Sequence, residues 1–322
     1  MKYLVTGVAG FIGSHVAVKL IESGHDVVGI DNMNAYYDVS LKEYRLSQFK
    51  DNDNFSFIKI DISDRDRMNE LFKVEKFDIV IHLAAQAGVR HSLQAPFDYI
   101  DSNLIGMMTI LEGCRHNNIK HLIYSSSSSV YGANKKIPFN ENDRVDNPVS
   151  LYAATKKSNE LMAYSYSSLY GIPITGLRFF TVYGPAGRPD MAPWIFTSAI
   201  IKGEPIKIFN NGKMLRDFTY IDDIVDGVVN ISKISPTGKV PHNLYNIGNN
   251  NPIELQSFIE LIETLCGRKA IKEFVGMQNG DVPATYADIS KLENKIGFKP
   301  STSIKEGMKN FINWYKNSWL KI

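Results

Sequence analysis

Lys2-Tyr-Leu-Val-Thr-Gly7-Val-Ala-Gly10-Phe-Ile-Gly13 decides how the rest of the chain is read. A short apolar strand runs into glycines at three-residue spacing, and these run into an amphipathic helix reaching about Ser23. Glycines there let the backbone turn tightly and come close to a pyrophosphate, whose charge sits at the helix N-terminus. By itself such a loop is a weak signal. It gains weight because Asp26-Val-Val-Gly-Ile-Asp31 reads as the next strand and closes on a carboxylate 24 positions after Gly7. A carboxylate at that point accepts the ribose hydroxyls of NAD and repels the 2′-phosphate of NADP, and Asn32-Met-Asn-Ala35 offers no arginine to offset the repulsion. NAD is therefore the expected cofactor.

Beyond this unit strand and helix patterns alternate, as expected of an α/β fold with a Rossmann-type, doubly wound parallel sheet covered on both faces. Residues 55–60 alternate and lead into Asp61-Ile62, and Asp78-Ile-Val-Ile-His-Leu-Ala-Ala85 is a continuous apolar run of buried-strand type. Residues 97–116 predict one long helix, 121–126 a strand, 152–169 a helix and 174–180 a further strand. The small Ala84 and Ala85 would let a cofactor approach the backbone at a strand end. After Phe180, glycine and proline concentrate in Tyr183-Gly-Pro-Ala-Gly-Arg-Pro-Asp190 and again over 203–212. Regular alternation is lost there, which predicts a smaller substrate-binding lobe over 181–322. Residues near 220–230 and 243–248 are expected to return to the NAD-binding lobe of residues 1–180.

Tyr152 and Lys156 sit one helical turn apart in Ser150-Leu-Tyr-Ala-Ala-Thr-Lys156, downstream of a strand that ends in the serine run Tyr124-Ser-Ser-Ser-Ser-Ser-Val-Tyr131. A phenol with its ordinary pKa of about 10 is protonated at neutral pH, but a cation one turn away favours the phenolate. With a serine hydroxyl to share the proton with a substrate, the set forms an acid–base relay. A second Tyr-x-x-x-Lys, Tyr131 to Lys135, spans Gly132 and Asn134, poor helix residues, so its side chains need not share a face.

With 322 residues, 44% of them hydrophobic, the chain can bury a large core in two lobes at about 150 residues per domain. A formal charge of +2 without a basic block leaves no footprint for nucleic acid or an anionic membrane surface and suits a small anionic substrate. Cys114 and Cys266 are the only cysteines and lack metal-ligand or redox spacing, so they read as buried free thiols of a reducing cytoplasm. His82 and His91 also lack metal-ligand spacing, and no metal is expected. The glycines at 7, 10 and 13 break any signal-peptide core, and no apolar run of about 20 residues is present to span a bilayer. A cytoplasmic protein is expected.

Together these residues resemble the extended short-chain dehydrogenase/reductase superfamily and, within it, the nucleotide-sugar 4-epimerases. The resemblance covers essentially the whole chain. It rests on Gly7-x-x-Gly10-x-x-Gly13, Asp31, His82-Leu-Ala-Ala-Gln86, Ser127 ahead of Tyr131, Tyr152-x-x-x-Lys156, Arg178-Phe-Phe-Thr-Val-Tyr-Gly-Pro185 and Arg216-Asp-Phe-Thr-Tyr220. Gln86-Ala-Gly-Val-Arg90, Ser150-Leu-Tyr-Ala-Ala-Thr-Lys156, Gly187-Arg-Pro-Asp-Met191 and Gly280-Asp-Val-Pro-Ala-Thr-Tyr-Ala-Asp288 are similar to the UDP-glucuronate 4-epimerases in particular. Two stretches depart from that group: Ala186 stands where tryptophan is usual, and Ala192-Pro-Trp-Ile-Phe196 differs from the common wording.

The resemblance implies a tightly held NAD, reduced and reoxidised within one turnover, and inversion of a UDP-sugar at C4 with no net redox change. UDP-glucuronate is the expected substrate and UDP-galacturonate its product. Tyr152 is implied as the proton acceptor, Lys156 as the ribose ligand that depresses the tyrosine pKa, and Ser127 as the hydrogen-bond partner of the reacting oxygen. For the cofactor it implies Gly7, Gly10, Phe11, Ile12, Gly13, Asp31, Asn32, Asp61, Ile62, Leu83, Ala84, Ala85, Gln86, Asn103 and Phe179 beside Tyr152 and Lys156. Asn103 reads equally well as a buried asparagine that merely joins backbone. For the substrate it implies Arg90, Ser127, Ser128, Thr181, Arg188, Arg216 and Asp281, with Arg216 at the diphosphate. A homodimer packed through the helices near 97–116 and 152–169 is implied as well.

The serine run argues against neighbouring chemistries. Related dehydratases and decarboxylases carry an acidic residue where Ser128 and Ser129 stand, and a hydroxyl does not replace a carboxylate as proton acceptor near neutral pH. A uronic acid oxidised at C4 is a β-keto acid, and it loses carbon dioxide when its C5–C6 bond lines up with the carbonyl π system. Hydroxyls of Ser127, Ser128 and Thr181 are the expected clamp on the carboxylate. In galactose epimerases asparagine is typical at the position of Thr181, so threonine leans toward a uronate. Thr181 reads alternatively as a strand-end hydroxyl that satisfies local backbone, and Arg188 or Arg216 as ordinary surface ion pairs. UDP-galactose or an N-acetylated relative, worked by the same residues, and an NAD-binding sensor without turnover are the alternative readings.

Overall fold

The computed structural model describes residues 1–277 and 284–321. They fall into two compact units, one made of residues 1–134, 144–179 and 225–245, the other of 135–143, 180–224 and the described part of 246–322. In chain order the elements begin with β1 (Lys2–Thr6), α1 (Phe11–Glu22), β2 (Asp26–Asp31), α2 (Val39–Ser47), β3 (Phe55–Lys59), α3 (Arg65–Glu75) and β4 (Ile79–His82). There follow α4 (Pro96–Tyr99), α5 (Gly106–His116), β5 (His121–Ser127), α6 (Leu151–Tyr170), β6 (Ile174–Phe179), β7 (Thr181–Tyr183), α7 (Ala192–Lys202), β8 (Pro205–Ile208) and β9 (Leu215–Tyr220). The chain ends with α8 (Ile221–Ser232), β10 (His242–Ile247), β11 (Pro252–Glu254), α9 (Leu255–Cys266), β12 (Ile271–Phe274), α10 (Ser290–Ile296) and α11 (Ile304–Asn317).

The first unit is built on a seven-stranded sheet in the order β10-β6-β5-β4-β1-β2-β3. From β3 through β2, β1, β4 and β5 to β6, every neighbouring pair is parallel. The chain steps outward from β1 to β3, returns to β4 on the other side of β1, and continues to β6. Strand order reverses between β1 and β4, and open α/β sheets bind ligands at the carboxyl ends of the strands that flank such a reversal. Burial on both faces explains the apolar runs: Leu4, Val5, Val80, Ile81, Leu122 and Ile123 have no exposed surface. On one face α3 and α5 meet at Gly113, where a Cβ would lie 2.4 Å from a ring carbon of Phe72. Glycine is what allows the two helices so close.

α6 has clear local causes. The Ser150 hydroxyl accepts the N–H of Ala153 at its start, and Gly171 ends it in the left-handed conformation. The single helix expected over 97–116 is instead three pieces, with a π-helical stretch, Ile100–Ile105, between α4 and α5. The wider turn takes the backbone carbonyl of Asn103 out of the α-helical pattern, and the Asn159 side chain of α6 donates to it at 2.6 Å.

The second unit contains a three-stranded sheet, β11-β9-β7, and a parallel pair, β12-β8. Trp194 of α7 lies among Phe311, Trp314, Tyr315 and Trp319, so the departing stretch 192–196 contributes an aromatic core residue. The buried carboxylate of Asp217 accepts backbone N–H groups from Asn249, Asn250 and Ala287. Residues 135–143 join this unit through Phe139, which exchanges backbone hydrogen bonds with Tyr286 and Asp288. Among the described residues no helix is long and apolar enough to cross a membrane.

Candidate active site

Gly7 leaves β1 with φ +69°, and a Cβ on it would lie 2.8 Å from the backbone N and Cα of Ala84. A Cβ on Gly13 would lie 2.2 Å from the carbonyl oxygen of Gly7. The loop therefore packs backbone against backbone, both on itself and on the segment leaving β4. Gly10 caps α1 without a side-chain acceptor, which leaves the first-turn amides of Phe11, Ile12 and Gly13 to an anion.

Thr6 shapes the segment after β4. Its Oγ1 accepts the N–H groups of Leu83 at 3.2 Å and Ala84 at 3.0 Å and lies 2.8 Å from His82 Nδ1. With both lone pairs engaged, the hydroxyl hydrogen goes to Nδ1, so His82 carries its own proton on Nε2. Burial, with the charge of Lys156 adding to it, lowers the His82 pKa to about 3, and the ring is neutral. Past Ala85, Gln86 donates its N–H to Asn103 Oδ1 at 2.8 Å and accepts from Asn103 Nδ2 at 3.1 Å. The same amide nitrogen donates to Thr155 Oγ1 of α6 at 3.0 Å. Asn103 thus joins the backbone at Gln86 to α6.

At the carboxyl ends of β2 and β3, Asp31 Oδ1 accepts the N–H of Met33 at 2.8 Å and the ammonium of Lys42 at 3.3 Å. The cation that residues 32–35 lack comes from α2, so Asp31 is not the uncompensated negative charge that its immediate neighbours suggest. Asn32 Nδ2 donates to Asp61 Oδ2 at 2.8 Å, and Asp61 Oδ1 accepts from the backbone and hydroxyl of Ser63. Burial would raise the Asp61 pKa, but the hydrogen bonds from Asn32 and Ser63 outweigh it and hold the carboxyl below its ordinary value. Ile62 places its side chain in the core, where a Cβ on Gly106 would meet its Cδ1 at 2.4 Å. A glycine loop at an uncapped helix start, a close-packed β4 exit and a carboxylate at the end of β2 together fit NAD.

Tyr152 opens α6, its ring edge-on to Tyr99 with 6.1 Å between centroids. Lys156, one turn on, is 2% exposed, and its ammonium donates to the Ser125 carbonyl at 2.8 Å and the Ser125 hydroxyl at 3.2 Å. Burial lowers its pKa to about 7. Two residues further along β5, Ser127 stands in register with buried Phe179, the last residue of β6. Its Oγ accepts the N–H of Ser129 at 3.2 Å and starts a short 3₁₀ turn, Ser128–Tyr131, on which Ser128 is half-buried. The phenol on α6, the buried ammonium and the serine at the end of β5 are the residue types that a proton relay needs. Tyr131 of the second Tyr-x-x-x-Lys is buried, and Arg178 donates to its hydroxyl at 3.0 Å.

The residues expected at substrate belong to both units. Arg90 is exposed at the start of the 3₁₀ turn His91–Leu93. In the second unit, half-buried Thr181 begins β7 in register with Phe218. Arg188 Nε donates to Asp190 at 3.0 Å, and Arg216 donates to the Leu215 carbonyl at 2.9 Å. Asp281 lies outside the described residues. Lys42 and Asn159 hold the region together with no motif to mark them, and Ser125 and Thr155 do so inside motifs that were read for other residues. Thr6, at a strand end beside Gly7, was the one recognisable from its position.

A family model, the NAD dependent epimerase/dehydratase family, matches residues 3–248, and the chain belongs to that family. Its cofactor is NAD. Among its relatives, a probable UDP-glucuronate 4-epimerase of Rhizobium meliloti is 48% identical over 334 residues, spanning 99% of this chain and 98% of the relative. The UDP-glucuronate 4-epimerase of Thermodesulfobacterium geofontis is 46% identical over 317 residues, spanning 98% and 96%. The crystal structure of UDP-glucuronic acid 4-epimerase from Bacillus cereus in complex with UDP-glucuronic acid and NAD matches with a TM-score of 0.92 and 36% identity, over 98% of this chain and 99% of that one.

Burial of Lys156 has a consequence for stability. Folding moves its pKa from 10.5 to about 7, so between those values the unfolded chain binds more protons and stability rises with pH. The penalty is complete below the folded value and gone above the unfolded one. In urea titrations of cofactor-stripped protein, wild type should gain stability relative to Lys156→Met between pH 7 and pH 9.5. A difference that stays flat over this range rules out a lowered pKa for Lys156.

Proposed function

We propose that this chain is a UDP-glucuronate 4-epimerase, an isomerase that interconverts UDP-glucuronate and UDP-galacturonate through a 4-keto sugar. The observation that carries the reading is the buried Lys156, tied to Ser125 on the strand that ends in Ser127 and one turn from Tyr152 on α6. Bound at Gly7–Gly13 and Asp31, NAD supplies reversible hydride acceptance. The protein supplies the proton chemistry and the positioning. Tyr152 takes the proton from the C4 hydroxyl and later returns it, Lys156 eases ionisation of the phenol, and Ser127 holds the reacting oxygen. Serines at 128 and 129, in place of a carboxylate, keep the chemistry from elimination.

The test is to give purified protein UDP-glucuronate without added cofactor and follow the sugar by NMR. UDP-galacturonate should form, and Tyr152→Phe should lower turnover by roughly 10²-fold or more while NAD stays bound. Turnover of UDP-galactose alone, or near-normal rates in the variant, overturns the substrate or the base respectively.

We assign Thr181 to the sugar carboxylate, as one hydroxyl that keeps it out of line with the C4 carbonyl. A lost hydrogen bond to a charged group costs about 1.5–3 kcal/mol, enough to raise a misaligned population about tenfold or more. Thr181→Ala should therefore release carbon dioxide from C6-labelled UDP-glucuronate and yield a UDP-4-keto-pentose, with the C4 hydride left on the cofactor as NADH, and Thr181→Ser should restore most of the control. Carbon dioxide at the wild-type level in the alanine variant removes Thr181 from the clamp.

We further assign the protein a homodimeric state. Leu161, Tyr164 and Leu169 are 60%, 55% and 68% exposed on α6, and Met108 of α5 is 38% exposed, apolar side chains that a second copy would cover. Sedimentation velocity should give a dimer near micromolar concentration, and Leu161→Asp with Leu169→Asp should shift it to monomer. A wild-type monomer refutes the assignment.

A further inference from the structure

Arg178 and Glu160 form a buried ion pair that the proton chemistry does not use. Both side chains are 2% exposed, with Arg178 Nε 2.7 Å from Glu160 Oε1 and Nη2 2.9 Å from Oε2. Burial alone would raise the Glu160 pKa, but Arg178 and Ser126 hold it below its ordinary value. Such a pair is a poor source of net stability, since taking both charges out of water costs about as much as their attraction returns. What it does supply is fixed geometry, because a bidentate guanidinium–carboxylate contact is planar and directional.

The geometry falls around the serine turn. At one end the Ser126 hydroxyl donates to Glu160 Oε1 at 2.7 Å; at the other Arg178 Nη1 donates to the Tyr131 hydroxyl at 3.0 Å, with the guanidinium 4.9 Å from the ring centre. Ser127 and Ser128 lie between these two ties. Just beyond, Gly132 has φ +53°, and a Cβ there would lie 2.1 Å from the Asn147 carbonyl oxygen, so the exit of the turn is fixed by backbone contact. Glu160 also belongs to α6, following Tyr152 and Lys156 in four-residue steps along one strip of the helix.

We propose that the Arg178–Glu160 pair is a positioning device for the reaction: it ties both ends of the turn bearing Ser127 and Ser128 to the helix bearing Tyr152 and Lys156. The pair sets the register between hydroxyl and phenol, and Arg178, Glu160, Ser126 and Tyr131 act through the residues they hold. This rests on the epimerase reading for the identity of the substrate, not for the geometry.

Removing either charge would strand the other in the interior, so the test uses the two hydroxyl ties. Ser126→Ala and Tyr131→Phe each release one end of the turn and leave the ion pair in place. Each should lower kcat with UDP-glucuronate about tenfold in the folded, NAD-loaded fraction, since small misplacement of reacting groups is costly, with KM and bound NAD unchanged and the melting temperature lowered by the lost hydrogen bond. Ser126→Thr, which keeps the hydroxyl, should restore kcat. The proposal fails if kcat per bound NAD is unchanged in both variants, or if any loss of activity only tracks loss of folded, NAD-loaded protein. Wild type is assayed first; should it turn over only another UDP-sugar, the uronate reading fails and the same variants are compared on that sugar.

Discussion

Burying the ammonium of Lys156 is the constraint around which the carboxyl ends of the central strands are arranged. A charge taken out of water needs acceptors, and Ser125 supplies two, its carbonyl and its hydroxyl. It also needs no second cation nearby. His82 is close enough for its pKa to feel Lys156, and the Thr6 hydroxyl at its Nδ1 fits the neutral ring. Thr6 in turn can act this way because it accepts the backbone amides of Leu83 and Ala84, the segment against which Gly7 packs. The glycine loop and the buried Lys156 are thus linked through a threonine and a histidine.

What could be read from the sequence was what the chain writes locally. Gly7, Gly10 and Gly13 mark a turn no other residue can make, Asp31 ends an apolar strand, and Tyr152 and Lys156 declare themselves by a four-residue step on a capped helix. Partnerships between distant residues left no such trace. Nothing in Asp31–Ala35 announces that Lys42 will come back from α2 to pair with Asp31, and the electrostatic argument for NAD changes accordingly. A 2′-phosphate at that point would meet a carboxylate already in contact with an ammonium, so discrimination rests more on the need for a hydrogen-bond acceptor than on net charge. Residues 135–143 carry no recognisable signal, yet Phe139 pairs them with backbone almost 150 positions later, at Tyr286 and Asp288.

Arg178 and Arg216 both stand in motifs that carried the family resemblance, but the structure uses them differently. Arg178 is fully engaged in the interior, by Glu160 and Tyr131. Arg216 is half-buried on β9 beside Asp217, whose carboxylate is occupied by three backbone amides. A motif arginine is therefore no guide by itself to whether it meets a ligand or another side chain. Burial and the inventory of acceptors around it decide.

The π-helical stretch Ile100–Ile105 bears on how this region can change over evolutionary time. It winds an extra residue into the helix, and in exchange for one regular hydrogen bond it presents the Asn103 carbonyl to Asn159 and the Asn103 amide to Gln86 and Thr155. Loss of a single residue there would restore an ordinary helix and rotate one flank against the other by about 100°. Either Asn103 would turn away from α6, or Met107, Ile110 and Leu111 would leave the core. The segment between Pro96 and His116 is accordingly tolerant of altered side chains at its exposed positions and intolerant of insertion or deletion, so homologous chains should vary there in composition while keeping one fixed length.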